Sequence, residues 1–244
     1  MAVETEVEPA RDSKMNFRKL LTILATATVA LSGVAYANPI LRLQSGATTI
    51  TIADGGALDA NGAAGAVTFI GGVEAWTTNV TTGLGSAILC SPSGSKCPSL
   101  DLNSVNVSTN PGAGGTVLNM FFTETGFTQG IGGISQFLGE IGGTLAALGT
   151  IEWWVYVDTT DTAFGTGALL ASGSANTSPF TGVDSGSILL TGPYSMTLAV
   201  RITHADGVRA TSFDFSGRLV PEPGTLLLIG AGLLALGLAR RKLS

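Results

Sequence analysis

Apolar and polar side chains alternate with a period of two along most of residues 38–219, a pattern that predicts β-strands. The clearest case is Ser195–Thr203, where Met196, Leu198, Val200 and Ile202 would share one face. Further candidate strands are Thr48–Ile52, Ala66–Ile70, Val73–Val80, Thr116–Thr125, Ile151–Val157, Gly167–Ser172, Ser187–Thr191 and Thr211–Leu219. Because clusters of Gly, Asn, Asp and Pro separate them, we expect about nine or ten antiparallel strands in an all-β body, a β-sandwich or jelly roll.

One stretch of this region does not fit the alternation. Gly133–Gly149 has apolar residues at a spacing compatible with a helix, but it contains five glycines. Glycine disfavours a helix interior by about 1 kcal/mol relative to alanine. We therefore expect a loop here, with room for one short helix.

A continuous apolar run, rather than an alternating one, marks residues 15–37. Arg18 and Lys19 precede the run Leu20–Val34, and the small-residue triplet Ala35-Tyr36-Ala37 follows it. A positive segment, an apolar segment of this length and an A-x-A triplet are the parts of a secretory signal peptide. Cleavage after this triplet would leave Asn38 as the first mature residue.

A second continuous apolar run, Thr225–Ala239, is followed by the basic residues Arg240, Arg241 and Lys242. As a helix it would be about 22 Å long, enough to span a membrane if the long basic side chains reach the interface. A helix in a soluble core would show polar positions at helical spacing, and this run has none after Thr225. Since Lys and Arg favour the cytoplasmic side, and both apolar runs carry them on their outer flanks, the residues between should lie across the inner membrane.

The four residues Val220, Pro221, Glu222 and Pro223 connect the alternating region to this run. The two prolines restrict φ and keep the preceding residues out of the α region, so this segment should be extended and exposed. The charge of Glu222 disfavours entry into the bilayer. The segment is therefore either a stalk above a permanent anchor or a site that a membrane-embedded processing enzyme could grip.

The Pro-Glu-Pro triplet, the Gly-, Leu- and Ala-rich apolar run and the Arg-Arg-Lys cluster together resemble the PEP-CTERM sorting signal of Gram-negative bacteria. The resemblance implies that exosortase, a membrane transpeptidase or protease, cuts the chain near Val220–Pro223. It also implies an exported protein that is held transiently in the inner membrane through Thr225–Ala239. The body would then reach the cell surface or the extracellular matrix, in a host that also makes exopolysaccharide.

These signals divide the chain into four segments. Residues 15–37 are the expected signal peptide, residues 38–219 the β body and residues 220–244 the sorting signal. Residues 1–14 are acidic and precede the signal peptide. They indicate either a start codon assigned too early, with Met15 the true start, or a long N-terminal region of the signal peptide.

The net charge of the body restricts the kinds of molecule that it is expected to bind. Residues 38–219 carry twelve acidic and five basic side chains, a net charge of −7. A body so poor in Lys and Arg lacks a patch that could neutralise phosphates, so we do not expect it to bind nucleic acid. Neutral glycans or divalent cations are more plausible contacts.

Two cysteines, Cys90 and Cys97, bracket the polar loop CSPSGSKC. Outside the cytoplasm a pair at this spacing predicts a disulfide, which would contribute about 2 kcal/mol by closing so short a loop. A structural metal site would need two more ligands, and the sequence offers none nearby. We expect neither a metal site nor a cofactor.

The most distinctive body segment is EWWVYVD, residues 152–158. Alternation directs Trp153 to the core and places Glu152, Trp154, Tyr156 and Asp158 on the other face. Aromatic rings beside carboxylates could contact sugar rings, which would make this strand a glycan-binding surface. The alternative, which we favour, is that Trp154 packs beneath a loop.

Signs of catalysis are few. His204 is the single histidine and fits a turn or a strand end, and no G-x-S-x-G motif supports a Ser-His-Asp triad. Glu152 with Glu140 or Asp158 could form a glycosidase pair, although any acidic protein offers such pairs. We therefore expect a non-enzymatic protein with a structural or adhesive role. A carbohydrate-binding module that uses Trp154 and Tyr156 is the alternative, and a secreted hydrolase is a less favoured one.

Overall fold

The structure, a computed structural model, describes residues 38–90, 97–112 and 116–220, and for residues 80–82 and 104 it describes the backbone alone. The expected signal peptide with Ala35 and Ala37 lies outside the described residues. So do Pro221, Glu222 and Pro223 and the run Thr225–Ala239 with the basic residues after it. Within the described residues, no helix has the length and apolar character needed to cross a membrane.

The described residues form strands almost throughout, with one short helix. In chain order the elements are β1 (Ile40–Ser45), β2 (Thr48–Ala53), β3 (Ala66–Val73), β4 (Trp76–Leu84), α1 (Ser86–Leu89), β5 (Ser99–Thr109), β6 (Thr116–Phe127), β7 (Ile134–Thr144), β8 (Thr150–Asp158), β9 (Ala168–Ala175), β10 (Phe180–Leu189), β11 (Tyr194–His204) and β12 (Ala210–Val220). The predicted all-β architecture is confirmed for this part of the chain.

These strands make two six-stranded antiparallel sheets. The first sheet has the order β2-β1-β6-β11-β8-β9, and the second has the order β10-β7-β12-β5-β4-β3. From β5 onward the strands follow jelly-roll connectivity, with β5-β12-β7-β10 facing β6-β11-β8-β9. The hairpins β1–β2 and β3–β4 extend the two sheets beyond this unit.

The apolar faces of the two sheets pack against each other to form one core. Trp153 of β8 lies against Phe215 of β12, with ring centroids 5.6 Å apart. On β11 the four apolar side chains expected to share a face are buried, and His204 continues that face. Alternation therefore predicted the inward side of this strand correctly.

The prediction of a loop at Gly133–Gly149 was wrong, because Ile134–Thr144 forms strand β7 in the second sheet. Its glycines allow close packing rather than chain flexibility. A Cβ on Gly139 would lie only 2.7 Å from Val155 Cγ2 and 3.0 Å from the Trp153 ring. The large Trp153 side chain on β8 thus occupies space that a side chain on β7 would need.

Other differences concern strand limits and strands that the pattern missed. Strands β1 and β5 were not predicted, and β10 begins seven residues before the expected Ser187. The expected strand Val73–Val80 is divided, since Val73 ends β3 and Trp76 begins β4.

The turn between β3 and β4 contains Glu74 at φ +52°, and the Glu74 carboxylate accepts a hydrogen bond from Ala47 N at 3.1 Å.

Candidate functional site

Strand β8 presents the expected polar and aromatic side chains on the outer face of the first sheet. Trp153 and the other inward residues are buried, while Glu152, Trp154, Tyr156 and Asp158 are half-buried. Burial raises the pKa of Tyr156 above its ordinary value. A tyrosine hydroxyl is protonated at neutral pH and can donate a hydrogen bond.

A third aromatic side chain joins this surface from another strand. Trp154 lies opposite Ala199 of β11, and Ala199 lies opposite Phe121 of β6, which is also half-buried. Since neighbouring strands are about 4.8 Å apart, the Cα atoms of Trp154 and Phe121 are roughly 10 Å apart with only a methyl group between them. We call Phe121, Trp154 and Tyr156 the aromatic face.

Sequence reasoning missed Phe121, although a signal for it was present. In the pair Phe121-Phe122 within a strand, one ring must point out of the core when the other points in. The structure buries Phe122 and leaves Phe121 on the outer side. Alternation alone does not reveal which strands become neighbours. Only the pairing of β6 and β8 with β11 places Phe121 near Trp154.

The loop after β8, residues 159–167, folds back over one end of the outer face. The Phe164 ring lies under the Arg42 guanidinium, 3.6 Å from its Cζ, and Phe164 N donates to Thr123 Oγ1 at 3.2 Å. Ser195 Oγ donates to Thr162 O at 2.7 Å. These contacts fix the loop at the Asp158 end of the strand, so part of the outer face is covered. That Trp154 itself packs beneath a loop stays a prediction.

The two carboxylates of this surface already have partners. Glu152 Oε2 lies 3.7 Å from Arg201 Nη1, in an ion pair whose side chains are 40% and 49% exposed. Asp158 Oδ1 accepts hydrogen bonds from Thr160 N and Thr160 Oγ1, both at 2.8 Å. A shallow polar pocket next to Glu152 is lined by Thr150, Ser174, Ala175 and Asn176.

The structure does not bring together the carboxylates considered as a glycosidase pair. Glu152 and Asp158 are six residues apart on one extended strand, which separates them by about 20 Å, well beyond the ~5–9.5 Å that glycosidases use. Glu140 lies on the outer face of the second sheet, where Arg218 Nη1 donates to its Oε2.

His204 is a core residue at the end of β11. Its Nε2 lies 2.8 Å from Thr211 Oγ1, and its ring centroid lies 4.5 Å from that of Trp76. Burial, with a smaller contribution from Arg209, lowers its pKa to about 4. Its hydrogen-bond partner is thus a threonine inside the core, and no Ser-His-Asp arrangement is built around it in the described residues.

Cys90 and Cys97 are joined by a disulfide, with their Cα atoms 5.5 Å apart. This pairing agrees with the one expected from their spacing. The bond follows α1 and closes the connection between β4 and β5. The described residues contain no group of three or more His, Cys, Asp or Glu side chains that could hold a metal ion.

The last described residue, Val220, is also the last residue of β12, where it pairs with Gln136 of β7. The first residue of the expected sorting segment therefore belongs to the folded body. Glu222 and the two prolines that flank it follow directly in the sequence.

Comparison with known proteins gives one match by sequence family and several weak structural likenesses. The PEP-CTERM protein-sorting motif matches residues 219–242. No curated protein matches the chain by sequence.

Among solved structures, the enzymatically active domain of bacteriophage CBA120 tailspike protein 4 is similar at TM-score 0.30 and 12% identity, over 48% of this chain and 15% of its own. TmCBM61 in complex with β-1,4-galactotriose is similar at TM-score 0.32 and 11% identity, over 75% and 88%. A glycoside hydrolase family 43 arabinoxylan arabinofuranohydrolase from Bacillus subtilis is similar at TM-score 0.24 and 17% identity, over 47% and 21%. The chain thus spans only a small part of the first and third of these proteins, and likenesses this weak carry no functional argument.

Proposed function

Because residues 219–242 carry the PEP-CTERM sorting motif, we propose that this chain is an exported exosortase substrate whose β body has a structural or adhesive, non-enzymatic role. The motif is the recognition signal for exosortase processing, and it implies export and transient membrane anchoring before cleavage. The body then acts at the cell surface or in the extracellular matrix, where exopolysaccharide is a candidate partner.

The observation that carries this proposal is that the sorting motif begins where the last strand of the body ends. Strand β12 ends at Val220, and the Pro-Glu-Pro triplet begins at the next residue. A cut at or beyond Pro221 would therefore remove no residue of the described strands. The body could leave the membrane without losing any of its core.

The test is intact-mass measurement of the exported protein from its host. We expect an N-terminus at Asn38 and a C-terminus near Glu222. Replacing both Pro221 and Pro223 by alanine should leave the chain uncut in the inner-membrane fraction, while the matched change Pro111→Ala, at an exposed turn of the body, should be processed normally. A mature protein that still ends at Ser244 would show a permanent anchor and would contradict the proposal.

The aromatic face favours a second candidate function, binding of neutral glycans. Phe121, Trp154 and Tyr156 are half-buried on one side of the first sheet, and rings held rigidly by strands can stack on sugar rings without losing much conformational entropy. The Tyr156 hydroxyl and the Glu152–Arg201 pair lie beside them and can form hydrogen bonds with sugar hydroxyls.

Affinity electrophoresis of the purified protein in gels containing neutral polysaccharides would test this function. If the aromatic face binds glycan, Trp154→Ala should abolish retardation. The control Ile70→Ala removes an equally apolar side chain, 67% exposed on β3 of the other sheet, and should have no effect. Retardation that survives Trp154→Ala, or that is absent from the unmodified protein with every polysaccharide tried, would exclude this role for the face.

A further inference from the structure

Both ends of the β body leave the fold at the same end of the sandwich. Pro39, just before β1, lies beside Gly85 at the end of β4, since a Cβ on Gly85 would be 3.0 Å from Pro39 Cγ. Strand β4 ends beside Asp101 of β5, which pairs with Ser216 of β12, four residues before Val220. Since successive strands run in opposite directions along the sandwich, twelve strands return the chain to the end where it started. We call this end the exit end.

Exposed apolar side chains border the point where β12 leaves. Ile134 of β7 is 67% exposed and pairs with Leu189 of β10, which is 58% exposed. Ile131, in the preceding loop, is 40% exposed, and a shallow groove runs from this loop to Leu219 and Val220. We call Ile131, Ile134, Leu189 and Val220 the exit patch.

The two chain segments that carry Ile131, Ile134 and Leu189 contain no charged residues. Residues 125–139 and 185–200, which include the loops at this corner, contain no Asp, Glu, Lys or Arg, although the body carries seventeen such side chains. At the other end of the sandwich, the loop between β11 and β12 exposes Val208 between Asp206 and Arg209. Residues 125–139 and 185–200 thus bring no charge of their own to the exit patch.

Among the described residues, the charged side chains near the exit patch are Asp161, whose Oδ1 accepts a hydrogen bond from Gly126 N at 2.7 Å, and Arg218, which pairs with Glu140 and is thereby neutralised.

Chain length restricts how far the exit patch can be from the membrane. Four residues separate Val220 from Thr225, the first residue of the apolar run, so even a fully extended connection covers at most about 17 Å. A helix inserted through Thr225–Ala239 would therefore hold the exit end close to the lipid headgroups. The opposite end, a strand length of about 35 Å away, would stay in water.

We propose that the exit patch rests on the lipid headgroup surface while the precursor is anchored, so that the body stands with its exit end on the membrane. This inference rests on the proposed sorting function, because it requires the helical anchor. It has a consequence for processing, since a body oriented in this way holds Pro221–Pro223 at the membrane surface, where a membrane-embedded protease can reach them.

The test uses the full chain reconstituted into vesicles of phosphatidylethanolamine and phosphatidylglycerol that contain brominated lipids, which quench nearby tryptophan. Two variants, Ile134→Trp and Val208→Trp, place a reporter at positions of matched exposure, 67% and 65%, at opposite ends of the sandwich. After subtraction of the signal of the unmodified chain, we expect several-fold stronger quenching for Ile134→Trp than for Val208→Trp. Unchanged circular dichroism and thermal midpoints would show that both variants are folded.

The other outcomes separate this inference from the function on which it rests. If the chain floats with the vesicles but the two reporters are quenched equally, the anchor is present and the orientation is wrong. If the reporter at position 134 is shielded from aqueous acrylamide but not quenched by bromolipid, protein covers the exit patch, for example a second copy of the chain, and the lipid contact is wrong. If the chain does not float with the vesicles, the anchor itself is absent, and both the inference and the proposed sorting function are overturned.

Discussion

Replacing Trp153 by alanine should destabilise the body by about 4–5 kcal/mol, at the upper end of the range for a buried tryptophan. The indole ring is 3% exposed and occupies a slot bordered by glycines of three other strands. A Cβ on Gly139, Gly173 or Gly182 would lie 3.0, 2.7 or 2.9 Å from atoms of this ring. Since these glycines have no side chains that could move into the vacated space, the cavity would stay open.

The neighbouring Trp154 provides the matched control, because it faces the opposite way on the same strand. It is half-buried on the outer face, so solvent can fill the space that Trp154→Ala creates and no closed cavity results. The loss is then mainly the transfer term, about 2 kcal/mol. The two substitutions remove identical side chains. The difference between their losses of unfolding free energy therefore measures how much packing against the facing sheet contributes to stability.

Urea denaturation of the purified variants, followed by circular dichroism, would measure both losses. With a slope of about 2 kcal/mol per molar urea, the transition midpoint should fall by roughly 2 M for Trp153→Ala and by roughly 1 M for Trp154→Ala. The slopes should not differ between the variants. Equal losses, or a larger loss for Trp154→Ala, would refute the assignment of Trp153 to the core between the sheets.

Three further predictions concern stability. Gly139→Ala should cost about 1–3 kcal/mol by overpacking, whereas Gly142→Ala on the same strand, with its nearest neighbour 3.7 Å away, should be nearly neutral in the same urea assay. The pKa of His204 is lowered to about 4 in the folded state, so the unfolded state takes up a proton first as the pH falls. The free energy of unfolding should therefore drop by roughly 3 kcal/mol between about pH 6.5 and pH 4. His204→Gln should lack this pH-dependent loss, and a variant with the same pH profile as the unmodified protein would contradict the assignment to His204. Reduction of the disulfide should lower the unfolding free energy by about 2 kcal/mol in paired melts with and without reductant, and a Cys90→Ser variant should be insensitive to the reductant.

Short stretches of sequence were sufficient to predict several features of the protein. The alternation of β11 and β8 identified their inward faces, because the direction of a side chain on a strand depends only on its position in the pleat. The sorting motif at residues 219–242 is likewise a local pattern. The pairing of Cys90 with Cys97 follows from two residues only seven positions apart.

Other features depended on which strands become neighbours. The glycines of β7 resemble loop residues until Trp153 is placed opposite them, and Phe121 resembles any strand phenylalanine until register puts it across Ala199 from Trp154. His204 resembles a turn residue until Trp76 packs against it. The sequence by itself thus determined the strands with clear alternation, such as β8 and β11, the disulfide and the sorting signal, since each is encoded within a short segment. Only the tertiary structure decided the aromatic face, the slot for Trp153 and the common exit of both chain ends, because those depend on pairings between residues far apart in the chain.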